Sequence, residues 1–250
     1  MNKIFSLVVA ILLSLCNITH AADIQTIRFA TEATYPPFEF VDESGQIRGF
    51  DIDIANALCK QLKAECVFTN QSFNSLIPSL KIGKFDALVS AIGVTAERQK
   101  QVAFTHSYYE PSGSFVALTR KHYTLAEMTG KTIGVQQGST FEKYLQEHYG
   151  SKIKVKTYAS IQEAFLDLVS GRVDVVIADT PIAKVWLKQN GNTNYSIVEK
   201  PITDTQYFGT GYGIAVNLNN AKLLNALNKA LAEIKTNGTY AKITKQYFGQ

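Results

Sequence analysis

The sequence predicts an α/β protein of two units, each a mainly parallel β-sheet flanked by helices. In the first half of the 250-residue chain, short β-prone runs alternate with helical patterns, and the same alternation starts again near residue 132. Two extended segments, Ser114–Leu118 and Tyr207–Val216, lie between and after these stretches. Alternating strands and helices are typical of parallel sheets that are covered by helices.

The start of the chain has the features of a cleaved signal peptide, residues 1–22. A lysine lies near the N-terminus, residues 4–16 form an apolar run, and small residues suit cleavage before Ala22. A membrane anchor needs about 20 unbroken apolar residues, and Asn17 interrupts this run too early. Lipid attachment at Cys16 is a second alternative, disfavoured by the bulky leucine before it. We therefore predict an exported protein.

The first α/β stretch contains three predicted strands and three predicted helices. Apolar residues in the helix from Asp51 to about Lys63 are spaced for one buried face. Thr95 is placed to cap a helix that begins at Ala96. The strands are Ile24–Ala30, Cys66–Thr69 and Phe85–Ser90, and the remaining helix is Phe73–Lys81.

Two cysteines, Cys59 and Cys66, remain after removal of the signal peptide. An even pair in an oxidising compartment is most simply a disulfide. The loop between them is short, so the chain-entropy model gives a stabilisation of about 2–3 kcal/mol. Metal ligation is the alternative, but no histidine lies near the pair. We predict the disulfide and no metal site.

The second stretch repeats the pattern of the first. Its strands are Thr132–Val135, Ile153–Tyr158 and Val173–Ala178, and its helices are Ser139–Tyr149, Ile161–Val169 and one opened by Thr180 and Pro181. A terminal helix from Ala221 to Lys235 follows the second extended segment. If this helix packs on the first unit, the chain passes between the units twice, and a ligand would lie in the cleft between them.

Composition and motifs exclude several classes of function. The chain is 46% hydrophobic and 18% charged, as in ordinary globular proteins, and its formal net charge is +4. Lysine and arginine are scattered, which disfavours a nucleic-acid or membrane-surface role. There is no Gly-x-Ser-x-Gly elbow, P-loop, dinucleotide-binding fingerprint or zinc signature. No cofactor is predicted.

The remaining candidate residues lie at strand ends and helix starts, where open α/β sheets bind ligands. Arg98 lies in the first turn of a helix, where its charge opposes the helix dipole, so it either captures a carboxylate or forms a surface ion pair. Gly138, Ser139 and Thr140 precede another helix and suit an anion site or a simple cap.

Acidic and aromatic candidates follow the strands. Asp179 ends an apolar strand and could bind an ammonium group or cap the next helix. Glu32 ends the first strand, with Tyr35 close behind it and Phe73 after the second strand. An acid between two aromatic rings suits a planar cation, although aromatic residues at such positions are also common in cores.

Eight stretches in order along the chain resemble the family 3 periplasmic solute-binding proteins of amino-acid ABC importers. They are Ala30–Phe40, Gly49–Ile54, Leu76–Leu80, Thr95–Arg98, Gly134–Thr140, Asp179–Thr180, Phe208–Gly211 and Asn237–Tyr240. Within the family, the chain is most similar to the subgroup that binds arginine, lysine and ornithine, which shares the cysteine pair.

The resemblance implies roles for residues that hold the amino-acid head group. Arg98 would bind the α-carboxylate, assisted by the amide of Thr140. Asp179 would bind the α-ammonium, assisted by backbone groups near Ala91 and Gly93. Relatives often have Ser or Asp at the position of Gly93, so this departure removes one contact to the ammonium.

The resemblance also implies how the side chain of the ligand is held. Tyr35 and Phe73 would sandwich it, while Glu32 and Ser90 would meet its distal cation. Gln136 lies where relatives vary, and would tune the choice between arginine and lysine.

The resemblance finally implies a type II periplasmic binding protein fold and a transport role. Lobe 1 would comprise 23–112 and 209–250, lobe 2 would comprise 113–208, and the hinge crossings would lie near 111–117 and 205–212. The expected ligand is L-arginine, with lysine or ornithine possible, and the expected partner is an inner-membrane ABC permease served by a periplasmic monomer. An enzyme similar to cyclohexadienyl dehydratase and a ligand-sensing module are the alternatives.

Overall fold

The structure, a computed structural model, describes residues 26–121, 123–189 and 194–249. The predicted signal peptide, with the alternative of a lipid on Cys16, lies outside these residues. Within the described ranges, no helix has both the length and the apolar character needed to cross a bilayer.

The first sheet has five strands in the order β5-β1-β6-β13-β7. Strands β5, β1 and β6 are parallel, and β13 runs antiparallel to both of its neighbours. The strands are β1 (Thr26–Thr31), β5 (Glu65–Asn70), β6 (Ala87–Leu88), β7 (Ala103–Phe104) and β13 (Ala215–Val216). The helices within this stretch are α1 (Phe50–Leu62), α2 (Leu76–Lys81) and α3 (Ala96–Gln99).

A small antiparallel sheet with the order β2-β3-β4 follows β1. Its strands are β2 (Thr34–Tyr35), β3 (Glu39–Val41) and β4 (Ile47–Arg48). This sheet was not predicted, because strands of two or three residues carry too little alternation of apolar and polar residues to be recognised. The sheet matters for function because it positions Tyr35 and Glu39, both of which are buried.

The second sheet has the order β10-β9-β11-β8-β12. Strands β10, β9 and β11 are parallel, and β8 runs antiparallel to β11 and β12. The strands are β8 (Gly113–Leu118), β9 (Thr132–Gln136), β10 (Lys154–Tyr158), β11 (Val175–Asp179) and β12 (Tyr195–Ile202). The helices of this part are α4 (Thr140–Tyr149), α5 (Ile161–Val169), α6 (Thr180–Gln189) and α7 (Thr205–Phe208). The predicted α/β class with two mainly parallel sheets is confirmed.

The chain ends with two helices that return to the first part of the molecule. They are α8 (Ala221–Thr236) and α9 (Thr239–Phe248), and both pack against α1. Helix α8 was predicted from the sequence, and α9 was not. Leu227, Leu231 and Ile234 give α8 a buried face, as its apolar spacing requires.

Three predicted elements show the largest differences from the observed ones. The segment Tyr207–Val216 is not extended throughout, because Asp204 caps the short α7 and the positive φ of 81° at Gly209 ends it. The predicted strand Phe85–Ser90 is paired only at Ala87–Leu88. The predicted helix Phe73–Lys81 begins as a 3₁₀ turn, Phe73–Ser75.

The disulfide between Cys59 and Cys66 is confirmed. It joins the last turns of α1 to β5. Between the two cysteines, the chain reverses at Lys63, which has a left-handed conformation (φ 52°). The predicted lobe boundaries stay a prediction, although the first sheet draws its strands from 26–104 and 215–216 and the second from 113–202.

Candidate functional site

The ends of strands from both sheets meet at one cavity. Eight of the predicted site residues line it, namely Tyr35, Phe73, Ser90, Ala91, Arg98, Gln136, Thr140 and Asp179. Ser139, which the sequence suggested as part of an anion site or a helix cap, also lines it, and three further lining residues, Glu39, Phe141 and Tyr212, were not predicted. Glu32 and Gly93 contact this lining through hydrogen bonds to Gln136 and Arg98.

Arg98 lies in α3, which begins as predicted with the side chain of Thr95 accepting from the Arg98 backbone N–H. The guanidinium donates to the carbonyl oxygens of Gly93 and Gly138, each at 3.1 Å, and lies 5.6 Å from the centre of the Phe73 ring. Burial lowers the pKa of Arg98 to about 10, so it stays cationic near neutral pH. No carboxylate of the described residues lies within ion-pair distance of it, which contradicts the surface ion pair considered above.

Close packing explains why the residue at position 93 is a glycine. A Cβ atom at this position would lie 2.7 Å from the carbonyl oxygen of Phe208. The backbone at Phe208 therefore leaves no room at position 93 for the Ser or Asp side chain that relatives often have there.

Asp179 ends β11 and is 2% exposed. Its carboxylate accepts hydrogen bonds from the hydroxyls of Tyr35, at 2.6 Å, and Tyr212. Burial nevertheless raises the pKa of Asp179 to about 7, because the two hydrogen bonds only partly offset desolvation. Tyr212 was missed because it lies within the segment Tyr207–Val216, which was interpreted from the sequence only as a connection between the units.

Glu32 follows β1 and is 4% exposed. Its carboxylate accepts from the side-chain amide of Gln136 at 3.1 Å and from the hydroxyl of Thr34. Burial raises the pKa of Glu32 to about 7 despite these hydrogen bonds. The contact with Gln136 joins the first strand of the first sheet to the end of β9 in the second.

The two predicted aromatic residues line the same cavity but belong to different elements, Tyr35 to β2 and Phe73 to a 3₁₀ turn. Tyr35 lies beside the ring of Phe38, with centroids 6.3 Å apart. Phe73 is half-buried in the 3₁₀ turn before α2, beneath the guanidinium of Arg98. Thr140 is the first residue of α4, where backbone N–H groups lack an intrahelical partner.

The cavity itself is small, about 20 Å³, which corresponds to roughly one water molecule. It shares Arg98, Ser139 and Thr140 with an open surface groove of about 650 Å³. An amino acid can therefore enter the cavity only when the surrounding residues move apart.

Two polar contacts near this groove join the part of the molecule that contains the first sheet to the part that contains the second sheet. Lys143 of α4 forms an ion pair with Glu97 of α3 at 2.7 Å. Asn74 donates to the side chain of Gln137 at 3.2 Å. The described residues contain no cluster of three or more histidine, cysteine or acidic side chains able to hold a metal ion.

Comparisons with known proteins agree with this geometry. Residues 27–250 match the family model of bacterial extracellular solute-binding proteins, family 3. The chain is 49% identical over 230 residues to ABC transporter arginine-binding protein 1 of Escherichia coli, covering 92% of this chain and 93% of the relative. It is 36% identical to the lysine/arginine/ornithine-binding periplasmic protein of the same organism, over 99% of this chain and 96% of the relative.

A solved structure gives the same result. The structure of a Salmonella typhimurium periplasmic binding protein, described for its high arginine specificity, matches with a TM-score of 0.85 and 42% identity. The match covers 90% of this chain and 99% of that one. The likeness confirms the predicted type II fold, and these relatives are binding proteins rather than enzymes. The chain therefore belongs to the bacterial extracellular solute-binding proteins, family 3.

Proposed function

We propose that this protein binds L-arginine in the cavity between its two sheets and delivers it to an inner-membrane ABC permease. The observation that carries the proposal is the charge arrangement of the cavity. Arg98 has a partly buried guanidinium with no carboxylate partner among the described residues. It shares the cavity with the buried carboxylate of Asp179. The carboxylate of Glu32 contacts the cavity lining through its hydrogen bond with Gln136.

This arrangement is complementary to an amino acid with a cationic tail. Arg98 and the N–H of Thr140 bind the α-carboxylate, because a guanidinium beside a helix N-terminus favours a planar anion. Asp179 binds the α-ammonium, with backbone groups near Ala91 and Gly93. Glu32 and Ser90 receive the distal cation, whose charge offsets the cost of burying the Glu32 carboxylate.

Arginine rather than lysine is proposed because of the rings. Tyr35 and Phe73 offer flat surfaces to the side chain, and a planar guanidinium stacks on aromatic rings better than a compact ammonium does. Gln136 leaves Glu32 one carboxylate oxygen that meets only the small hydroxyl of Thr34. Lysine and ornithine are expected to bind more weakly at the same place.

Binding is coupled to closure in this proposal. Lobe 1 (23–112 and 209–250) and lobe 2 (113–208) move apart at hinges near 111–117 and 205–212, and a bound amino acid stabilises the closed geometry that the permease recognises. The protein acts as a monomer in the periplasm after removal of its predicted signal peptide. The periplasmic location is supported by the relatives.

A thermal-shift screen of the twenty amino acids with ornithine and citrulline tests the ligand. A compound that binds only the folded state raises the melting temperature. We expect the largest shift with arginine, smaller shifts with lysine and ornithine, and little with citrulline, which has nearly the same shape without the charge. Equal shifts with citrulline or glutamine would contradict the role of Glu32.

A further inference from the structure

Two neighbouring carboxyl groups lie at the cavity but are not among the proposed ligand contacts: one belongs to the cavity lining, and the other accepts a hydrogen bond from a lining residue. Glu39 of β3 is 1% exposed, and Asp51 in the first turn of α1 is fully buried. The two side chains lie within hydrogen-bonding reach of each other. Neither forms an ion pair with a cation among the described residues, so the structure holds two adjacent acidic groups with no compensating charge.

Half of the four carboxyl oxygens in this pair have clear partners. Glu39 Oε1 accepts from the hydroxyl of Ser90 at 3.2 Å. Asp51 Oδ2 accepts from the backbone N–H of Ala91 at 2.7 Å and from the hydroxyl of Tyr108 at 2.8 Å. The other two oxygens, Glu39 Oε2 and Asp51 Oδ1, are buried without a hydrogen-bond partner. Buried polar atoms are rarely left in this state.

We propose that Glu39 is a neutral carboxylic acid whose Oε2–H donates to Asp51 Oδ1, and that this proton fixes the Ser90–Ala91 segment in its ligand-binding geometry. One proton gives both unpartnered oxygens a partner. It leaves Asp51 ionised, as an acceptor of two hydrogen bonds must prefer, and places the neutral form on the residue with fewer donors.

The electrostatic surroundings favour the same assignment. Besides each other, the titratable groups that act on the pair are the carboxyls of Glu32 and Asp179 and the phenols of Tyr35 and Tyr108. None of them is a cation. Burial raises the pKa of Glu39 well above its usual range, while the donors from Ala91 and Tyr108 limit the rise for Asp51 to about 6.

The pair reaches three residues of the candidate site. Ala91 has a φ of 44°, a left-handed conformation that is unfavourable for an L-residue, and the hydrogen bond from its N–H to Asp51 holds it there. Ser90, which donates to Glu39, also accepts from the backbone N–H of Glu32 at 2.9 Å. Glu39 is therefore a positioning residue. Its importance for arginine rests on the proposed function, whereas its proton does not.

The protonation state is tested directly by ¹³C NMR of protein labelled at the glutamate δ-carbons and aspartate γ-carbons. Glu32 and Asp179, with pKa values of about 7, titrate in this range, so the diagnostic signal is one glutamate resonance that stays at the position of a protonated carboxyl at both pH 6 and pH 8, with and without arginine. The signal should be absent from Glu39→Gln and present in Glu43→Gln, a control in an exposed turn. The assignment is overturned if no glutamate signal stays protonated at pH 8, or if the signal that stays protonated belongs to Asp51.

Variants test the positioning role. Glu39→Gln keeps an acceptor for Ser90 and a donor for Asp51, so we expect arginine affinity within about threefold of the parent. Glu39→Leu removes both and should weaken affinity at least about tenfold, if it folds. Equal losses in the two variants overturn the role. If the parent binds no arginine while the NMR signal is present, the proposed function fails and the proton assignment stands.

Discussion

The hydroxyl of Tyr35 donates to Asp179 Oδ2 at 2.6 Å, and this hydrogen bond joins the small antiparallel sheet to the last residue of β11. The same carboxylate also accepts from Tyr212. Two phenols from distant parts of the chain, both in the predicted lobe 1, therefore hold one acid of the predicted lobe 2.

Tyr35→Phe removes the hydroxyl and keeps the ring. Because a hydrogen bond to a charged group contributes about 1.5–3 kcal/mol, we expect arginine affinity measured by calorimetry at pH 7 to fall by about tenfold or more. Tyr195→Phe, in β12 outside the cavity lining, is the control and should bind like the parent. Unchanged affinity in Tyr35→Phe would show that the Tyr212 hydroxyl suffices.

Arg98→Ala is expected to abolish binding of every amino acid while the far-ultraviolet circular dichroism spectrum is retained. Losing one member of a buried charge pair costs about 2–5 kcal/mol, and the α-carboxylate is common to all candidate ligands. The control is Arg120→Ala, since Arg120 is exposed and does not line the cavity. Tight residual binding would mean that the carboxylate is held elsewhere.

Glu32→Ala should weaken arginine binding at least about thirtyfold without loss of the fold, because the distal cation then lacks its counter-charge. Glu32→Gln keeps the size of the side chain and isolates the charge. In that variant the preference for arginine over citrulline, measured by calorimetry, should shrink or disappear. If the preference is unchanged, the charge of the ligand tail is recognised by another group.

Two raised carboxyl pKa values predict opposite pH effects on stability and on binding. Burial raises the pKa of Glu32 and Asp179 to about 7, whereas carboxyls in an unfolded chain titrate near 4. Between these values the folded, unliganded protein binds more protons than the unfolded chain. Their contribution to the free energy of unfolding therefore falls as the pH rises from about 4 to about 7.

Arginine binding should follow the reverse trend, because a bound cation favours both ionised carboxylates. We expect tighter binding at pH 8 than at pH 5, with release of protons near pH 6. Calorimetry in two buffers with different ionisation enthalpies measures the number of protons released. Glu32→Gln should release fewer protons, and proton uptake by the parent would contradict the sign.

Replacing both Cys59 and Cys66 with serine should lower the free energy of unfolding by about 2–3 kcal/mol. Arginine affinity should stay unchanged, because Cys59 lies about 12 Å along α1 from Asp51. Urea unfolding of the parent with and without a reductant provides the matched measurement. A large loss of affinity would mean that the bridge orders the cavity as well as the helix end.

Much of this architecture follows from local sequence signals, and the misses have physical causes. Thr95 and Arg98 were predicted because a cap followed by a cation in the first turn is a local pattern. Asp51 was missed because an aspartate in a first turn is normally an exposed partner of the helix dipole, yet here it is fully buried. Tyr212 and Glu39 depend on contacts between segments that are far apart in sequence, which no local pattern contains.

The side-chain amide of Gln136 donates a hydrogen bond to Glu32, and it therefore competes with a ligand for this carboxylate. In the unliganded protein, the amide of Gln136 partly compensates the burial of the Glu32 carboxylate by donating a hydrogen bond to it. A neutral-tailed amino acid would displace or share that amide without supplying a charge, whereas a guanidinium brings both donors and a charge. We therefore expect the hydrogen bond between Gln136 and Glu32 to make glutamine and citrulline weaker ligands than arginine.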